Sequence, residues 1–232
     1  MSLNTRGNKM RLTCVSASNT RLSSDKSTSI NVCNKIKEII LRETKEEAII
    51  DIIPLRDYDI KPCNLCGACS KAGYCIYDED FNKLLKILQA TQGIILVVPH
   101  YSPIPAKLIM IFEKMNEITY AGWLNNPDYQ TPFNNKSIGI IGHGGMVENE
   151  EILRYYHDHL ITPVALTLKA LSFNVIKMND EFPNGVTFGL SDDSCLKKVD
   201  NSIFPEIIQD WTLIEERIKP FVINVINSIC VK

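Results

Sequence analysis

The 232-residue chain has no basic run. Its 25 Lys and Arg stand against 27 Asp and Glu, for a formal net charge of −2. That balance leaves no electrostatic footprint for a nucleic-acid backbone or an anionic membrane as main partner. No apolar stretch reaches transmembrane length and no secretory leader is seen, so a cytoplasmic protein is expected. Neither G-x-G-x-x-G nor the Walker spacing follows the first strand, which disfavours a dinucleotide fingerprint and an NTPase. Histidine is scarce, with four in all. His157 and His159 fall two apart on a helical pattern and so do not share a face, making them poor metal ligands. Repeats and low-complexity segments are absent. A content of 45% hydrophobic and 22% charged residues is ordinary for a globular chain long enough for a real core. Residues 1–9 read as a polar tail and residues 10–232 as one domain.

Cysteine is plentiful, and it is concentrated. Four of the eight cysteines, Cys63, Cys66, Cys69 and Cys75, are spaced C-x2-C-x2-C-x5-C within residues 61–77. Two-residue spacers let a loop fold back so that successive sulfurs point at one centre, as a cubic iron–sulfur (4Fe-4S) cluster requires. Cys75 follows a longer spacer than in the ferredoxin run and precedes Ile76 instead of proline, so it is the weakest of the four ligands. Four thiolates also suit a closed zinc site, and a thiol loop without metal is the plain alternative. Cys14, Cys33, Cys195 and Cys230 are scattered in apolar patterns and read as small buried hydrophobes in a reducing compartment.

Strand and helix patterns alternate. Strands are expected at Arg11–Val15, Ala48–Ile53, Gly93–Val98, Lys136–Ile141 and Phe173–Lys177. Ile30, Cys33, Ile36 and Ile40 mark the first helix, and Leu84, Leu85 and Leu88 the next. A helix follows over Ile104–Thr119, then one over Glu148–His159. Thr162-Pro163 reads as an N-cap and first position for a continuation to Leu171. The segment Asn179–Ser194 suggests an irregular hairpin. The last helix places Ile207, Trp211, Ile214, Ile218, Phe221, Val225 and Ile229 on one stripe, with a kink or restart at Pro220. Five βα units predict a doubly wound, five-stranded parallel sheet with helices on both faces. The cysteine-rich loop is an insertion after strand two.

Ligands of such sheets bind beyond the carboxyl ends of the strands, so three loops carry the chemistry. The loop from Ser16 to Ser29 is dense in hydroxyls and enters a helix N-terminus, a combination that suits a phosphate. A solvated loop with an N-cap is its plain reading. Pro99-His100-Tyr101-Ser102 forms a stiff wall able to stack on a planar ring, or simply a rigid turn. Gly142-His143-Gly144-Gly145 reads as a glycine turn that lets backbone approach a ligand closely.

These loops, with Cys63 to Cys75 and the acidic run Asp78-Glu79-Asp80 ahead of a helix, resemble the flavodoxin-like NAD(P)H-dependent FMN reductase superfamily. Within it the similarity is to the iron–sulfur flavoproteins, over roughly Met10 to Lys177. Val98-Pro99-His100-Tyr101 is similar to that family's Pro-x-Tyr segment, with Lys107 and Glu113 near its following Lys and Asp. The resemblance implies FMN, its phosphate held by Ser16, Ser18, Ser27, Thr28 and Arg21. It implies a ring lying against Pro99, His100, Tyr101 and Ser102 and against Gly142, His143, Gly144 and Gly145. The expected function is electron transfer by a flavin-dependent oxidoreductase with an iron–sulfur cluster, with NAD(P)H as a possible donor. A small-molecule or protein redox partner and a homo-oligomer are also expected. A cluster-free FMN or quinone reductase and a non-enzymatic zinc-stabilised binding protein are the alternatives.

Overall fold

A computed structural model describes residues 9–20, 27–45, 47–201 and 205–230. In chain order the elements are β1 (Arg11–Ser16), α1 (Thr28–Glu43), β2 (Ile49–Pro54), α2 (Cys69–Ala72), α3 (Glu79–Ala90), β3 (Gly93–Pro99) and α4 (Ala106–Asn125). They continue with β4 (Ser137–Val147), α5 (Glu150–Tyr156), α6 (Thr162–Ala170), β5 (Asn174–Val175), β6 (Val186–Leu190), β7 (Leu196–Lys197), β8 (Glu206–Ile207) and α7 (Trp211–Cys230). The main sheet runs β2-β1-β3-β4-β5, every pair parallel, with β6 also parallel to β4. This is the flavodoxin-like strand order, whose direction reverses between β1 and β3.

Alternation along β3 sorts the two faces. Ile94, Leu96 and Val98 join α3, α4 and α6 in one core, while Ile95 and Val97 join α1 and α7 in the other. All of β3 is buried, as a parallel strand covered on both sides must be. Phe81, Leu84, Leu85 and Leu88 supply the inward face of α3, and Ile30, Cys33, Ile36 and Ile40 that of α1.

Several expectations need correction. The fifth strand is split: β5 pairs the start of β4 at Ser137 and Ile138, and β6 pairs its later part from Ile141. Within the expected hairpin, residues 186–190 are therefore a strand of the main sheet. The glycine segment 142–145 is strand, not turn, since β4 runs on to Val147. Thr162 is not an N-cap: its backbone is helical and it is already the first residue of α6. A π turn over His157–Ile161 joins α5 to α6, with the Thr162 N–H donating to the His157 carbonyl. The chain thereby reaches Pro163 without a break. Likewise α7 continues through Pro220. Ile207 leaves the expected stripe because it sits in β8, where it is exposed. Among the scattered cysteines Cys14, Cys33 and Cys195 are buried, but Cys230, at the end of α7, is exposed.

Candidate functional site

The first group of residues gathers at the carboxyl ends of β1, β3 and β4. Ser16 ends β1 opposite Val97 of β3, and Val98 and Pro99 lie opposite Gly142 and His143 of β4. Ser27 takes the N-cap position of α1 in extended backbone, yet makes no side-chain capping bond. The first α1 hydrogen bond runs from the Asn31 N–H to the Ser27 carbonyl, so the N–H groups of the opening turn point away from the helix body. The Ser16 and Ser27 hydroxyls are buried and have no hydrogen-bond partner among the described residues. Each such group costs roughly 1–3 kcal/mol unless something arrives to pair with it. An anion at this end would meet two free hydroxyls, several N–H groups and the positive pole of the helix dipole. These residues fit the phosphate of FMN. Thr28 opens α1 half-buried. Arg21, expected here, lies outside the described residues.

Buried Ser18 and exposed Tyr101 meet across this end, with Ser18 Oγ 3.0 Å from the Tyr101 hydroxyl. The Tyr101 N–H donates to the Pro103 carbonyl at 2.8 Å, closing a tight turn that leaves Tyr101 and Ser102 exposed. The His100 N–H donates to the His143 carbonyl at 2.7 Å, tying the aromatic turn to β4. The His100 ring packs against Tyr155 and Tyr156, with centroids 5.5 and 5.3 Å away. Burial and the neighbouring His159 hold the His100 imidazole below its ordinary range.

The glycine segment divides between two roles. Gly142 and His143 are buried, Gly144 is half-buried and Gly145 is exposed. A Cβ on Gly144 would fall 2.2 Å from the Tyr156 hydroxyl, so this glycine answers to α5. The His143 imidazole points to the α1 side. Its Nε2 is 2.7 Å from Ser29 Oγ, and its ring stacks on Phe188 at 5.3 Å. Burial pushes its pKa down to about 4.

The second group is the cysteine loop. Cys63, Cys66, Cys69 and Cys75 line one cavity of about 140 Å³, together with Lys114, Glu117 and Ile118 of α4. Among the described residues no three His, Cys, Asp or Glu side chains are already gathered around one metal-ion position. A single zinc ion needs every thiolate at about 2.3 Å from one point, whereas an iron–sulfur cluster spreads its ligands around a larger cage. Four thiols bordering a shared space fit the latter. The backbone turns left-handed at Leu65 (φ 52°) and Gly67 (φ 69°). Leucine rarely adopts that conformation, and turns of this kind direct N–H groups inward, as in many iron–sulfur sites. Burial holds the Cys69 thiol above its ordinary range.

Polar anchors fix this loop at both ends. Buried Asp78 caps α3 by accepting from the Phe81 N–H at 2.9 Å. Its other oxygen accepts from the Lys61 N–H at 2.8 Å and from Lys114 Nζ. Lys114 also donates to the Lys61 carbonyl, and the Asp78 and Lys114 side chains are both almost wholly buried. Asn82 grips the backbone of Cys75 on both sides, accepting from its N–H at 3.1 Å and donating to its carbonyl at 2.6 Å. Lys107 Nζ donates to the Leu55 and Tyr58 carbonyls, holding the approach from β2. Sequence reasoning passed over Asn82, Lys114 and Ser29. Asn82 alone left a trace, since it falls one turn into a helix that begins just after the last cysteine.

Strand order and the geometry at the carboxyl ends of β1, β3 and β4 define a flavodoxin-like α/β protein. The family model described as NADPH-dependent FMN reductase matches residues 10–180, and the chain belongs to that family. It is 31% identical over 84 residues to an iron-sulfur flavoprotein of Methanosarcina thermophila, covering 35% of this chain and 44% of that one. It is 40% identical over 67 residues to an iron-sulfur flavoprotein of Archaeoglobus fulgidus, covering 28% and 32%. The matches thus span less than half the length of these relatives. Among solved structures it is similar to RosB with bound 8-demethyl-8-formylriboflavin-5'-phosphate, at a TM-score of 0.58 and 14% identity over 96% of this chain and 79% of that one. It is also similar to an oxidoreductase of Corynebacterium diphtheriae, at 0.57 and 14% over 97% and 100%. At such identities the two structures speak for the fold.

Proposed function

We propose that this chain is an FMN-dependent electron-transfer oxidoreductase carrying an iron–sulfur cluster in the loop Cys63–Cys75. The observation that carries the flavin half is the pair of buried, unpartnered hydroxyls, Ser16 and Ser27, at the mouth of α1. In an FMN reductase family member these groups and the free N–H groups of α1 hold the phosphate. Pro99, His100, Tyr101 and Ser102 form the wall beside the ring, and Tyr101 closes on Ser18. Of the glycine segment, Gly142, Gly144 and Gly145 offer backbone to the ring, while the His143 side chain serves elsewhere. The cluster half rests on four thiols around one cavity and on the relatives' names.

FMN exchanges one or two electrons and a cluster exchanges one at a time, so together they would divide a two-electron donor's reduction into single steps. The chain's own task is to bind, orient and shield. Asp78 with Lys114, and Asn82, fix the cysteine backbone, while Lys114 and Ile118 line the α4 side of the cavity. NAD(P)H fits as donor through the family description, and a protein or small molecule as acceptor. The exposed apolar residues Leu65, Tyr74 and Tyr77 beside the cysteines support a homo-oligomer, and eight free thiols suit a reducing cytoplasm.

The second reading is an FMN or quinone reductase without a cluster, favoured by the ungathered state of the four thiols. Membership of a reductase family speaks against the non-enzymatic zinc protein. Chromatography of the heat-released cofactor tests the flavin assignment. FMN is expected; FAD, or no flavin after saturating supply, overturns it.

A further inference from the structure

His143 joins the two loops assigned to the cofactor through separate groups. Its carbonyl accepts from the His100 N–H at 2.7 Å, in the ring-side turn. Its imidazole Nε2 lies 2.7 Å from Ser29 Oγ, in the first turn of α1. Both side chains are buried, with 7% of His143 and 2% of Ser29 exposed. Phe188 of β6 stacks on the imidazole with planes 10° apart, which leaves the ring little freedom to swing.

The consequence for α1 follows from what serine does when it is not held. A serine near a helix start turns its hydroxyl to nearby backbone groups. Here Ser29 spends that hydroxyl on β4, and Ser27 makes no capping bond. Among the described residues the N–H groups of Thr28, Ser29 and Ile30 have no partner, and the Ser16 and Ser27 hydroxyls are unpartnered beside them. We propose that His143 is a positioning residue: through Ser29 it pins the first turn of α1 to β4 and keeps that turn open for a phosphate monoester. This rests on the FMN reading above and adds a residue that does not itself touch the ligand.

The test compares FMN with riboflavin, which differ only in the phosphate, by fluorescence titration of apoprotein. Variants are His143→Phe, which keeps an aromatic ring on Phe188 but drops the hydrogen bond, and Ser29→Ala, which drops it from the other side. Loss of one such bond should weaken FMN binding about 5- to 10-fold and leave riboflavin binding unchanged. The double variant should be no worse than either single one, and His143→Gln, whose amide can reach Ser29, should recover part of the loss. Equal weakening of FMN and riboflavin, or unchanged FMN binding in folded variants, overturns the positioning role. Should His143→Phe fail to fold, Ser29→Ala decides the matter alone. A wild-type protein that binds FMN no better than riboflavin instead defeats the phosphate assignment itself, a separate outcome.

Discussion

Single side chains govern how the two candidate centres are held. Tyr101→Phe should remove only the contact to Ser18, while Tyr101→Ala also removes the aromatic wall and should weaken FMN binding by on the order of 1 kcal/mol beyond area burial. Unchanged affinity for both variants in titrations would return Tyr101 to an ordinary surface turn. His143 makes a second prediction, on stability. Its folded pKa is depressed from 6.5 to about 4, so between those values the unfolded chain binds more protons than the folded one. The contribution is complete above pH 6.5 and is lost as pH falls toward 4, with a slope approaching about 1.4 kcal/mol per pH unit. Denaturant titrations across that range should show the slope, and His143→Gln should flatten it. Of the expected phosphate loop, residue type alone was readable, hydroxyls ahead of a helix; the structure adds that the Ser16 and Ser27 hydroxyls are buried and unpartnered among the described residues. The His143–Ser29 contact was not legible, because its partners are 114 residues apart and each was read for its own loop and not as a pair.

At the scale of elements, the cysteine loop depends on the start of α3 and the middle of α4. Lys114→Ala would leave the Asp78 carboxylate buried without its counter-ion, and removal of one partner of such a pair costs about 3–5 kcal/mol. Thermal or denaturant unfolding measures it, and a loss under about 1 kcal/mol would mean that water enters the site freely. The sequence announced Asp78 through its place before a helix, but Lys114 reads as one more charge on a long amphipathic pattern. Glycines 142–145 misled for a related reason. Glycine signals a turn when only local chain is considered, yet Gly144 is needed because Tyr156 packs against β4. Gly144→Ala should therefore cost about 1–3 kcal/mol by overpacking. Gly145→Ala, whose Cβ would meet nothing within 4 Å, should be close to neutral. Equal effects would show that backbone conformation, not contact with Tyr156, sets the requirement. The split fifth strand escaped notice because its halves are short and separated by a polar segment.

For the whole molecule, the parallel sheet was readable from alternation alone, since each βα unit buries an apolar strand between two helical layers. The compact cysteine spacing was equally plain, and the structure lines one cavity with all four of them. What spacing could not reveal was how the loop is held: a buried ion pair and an asparagine clamp from elements that the chain reaches only later. The central claim is that one chain holds a flavin and a cluster at separate sites. Its most direct test is the iron, acid-labile sulfide and FMN content per chain of anaerobically purified wild-type protein and of Cys66→Ala. The account predicts iron, sulfide and FMN together in the wild type, and a variant that loses iron and sulfide while keeping FMN. Full iron in Cys66→Ala, or flavin without iron and sulfide in the wild type, would contradict it.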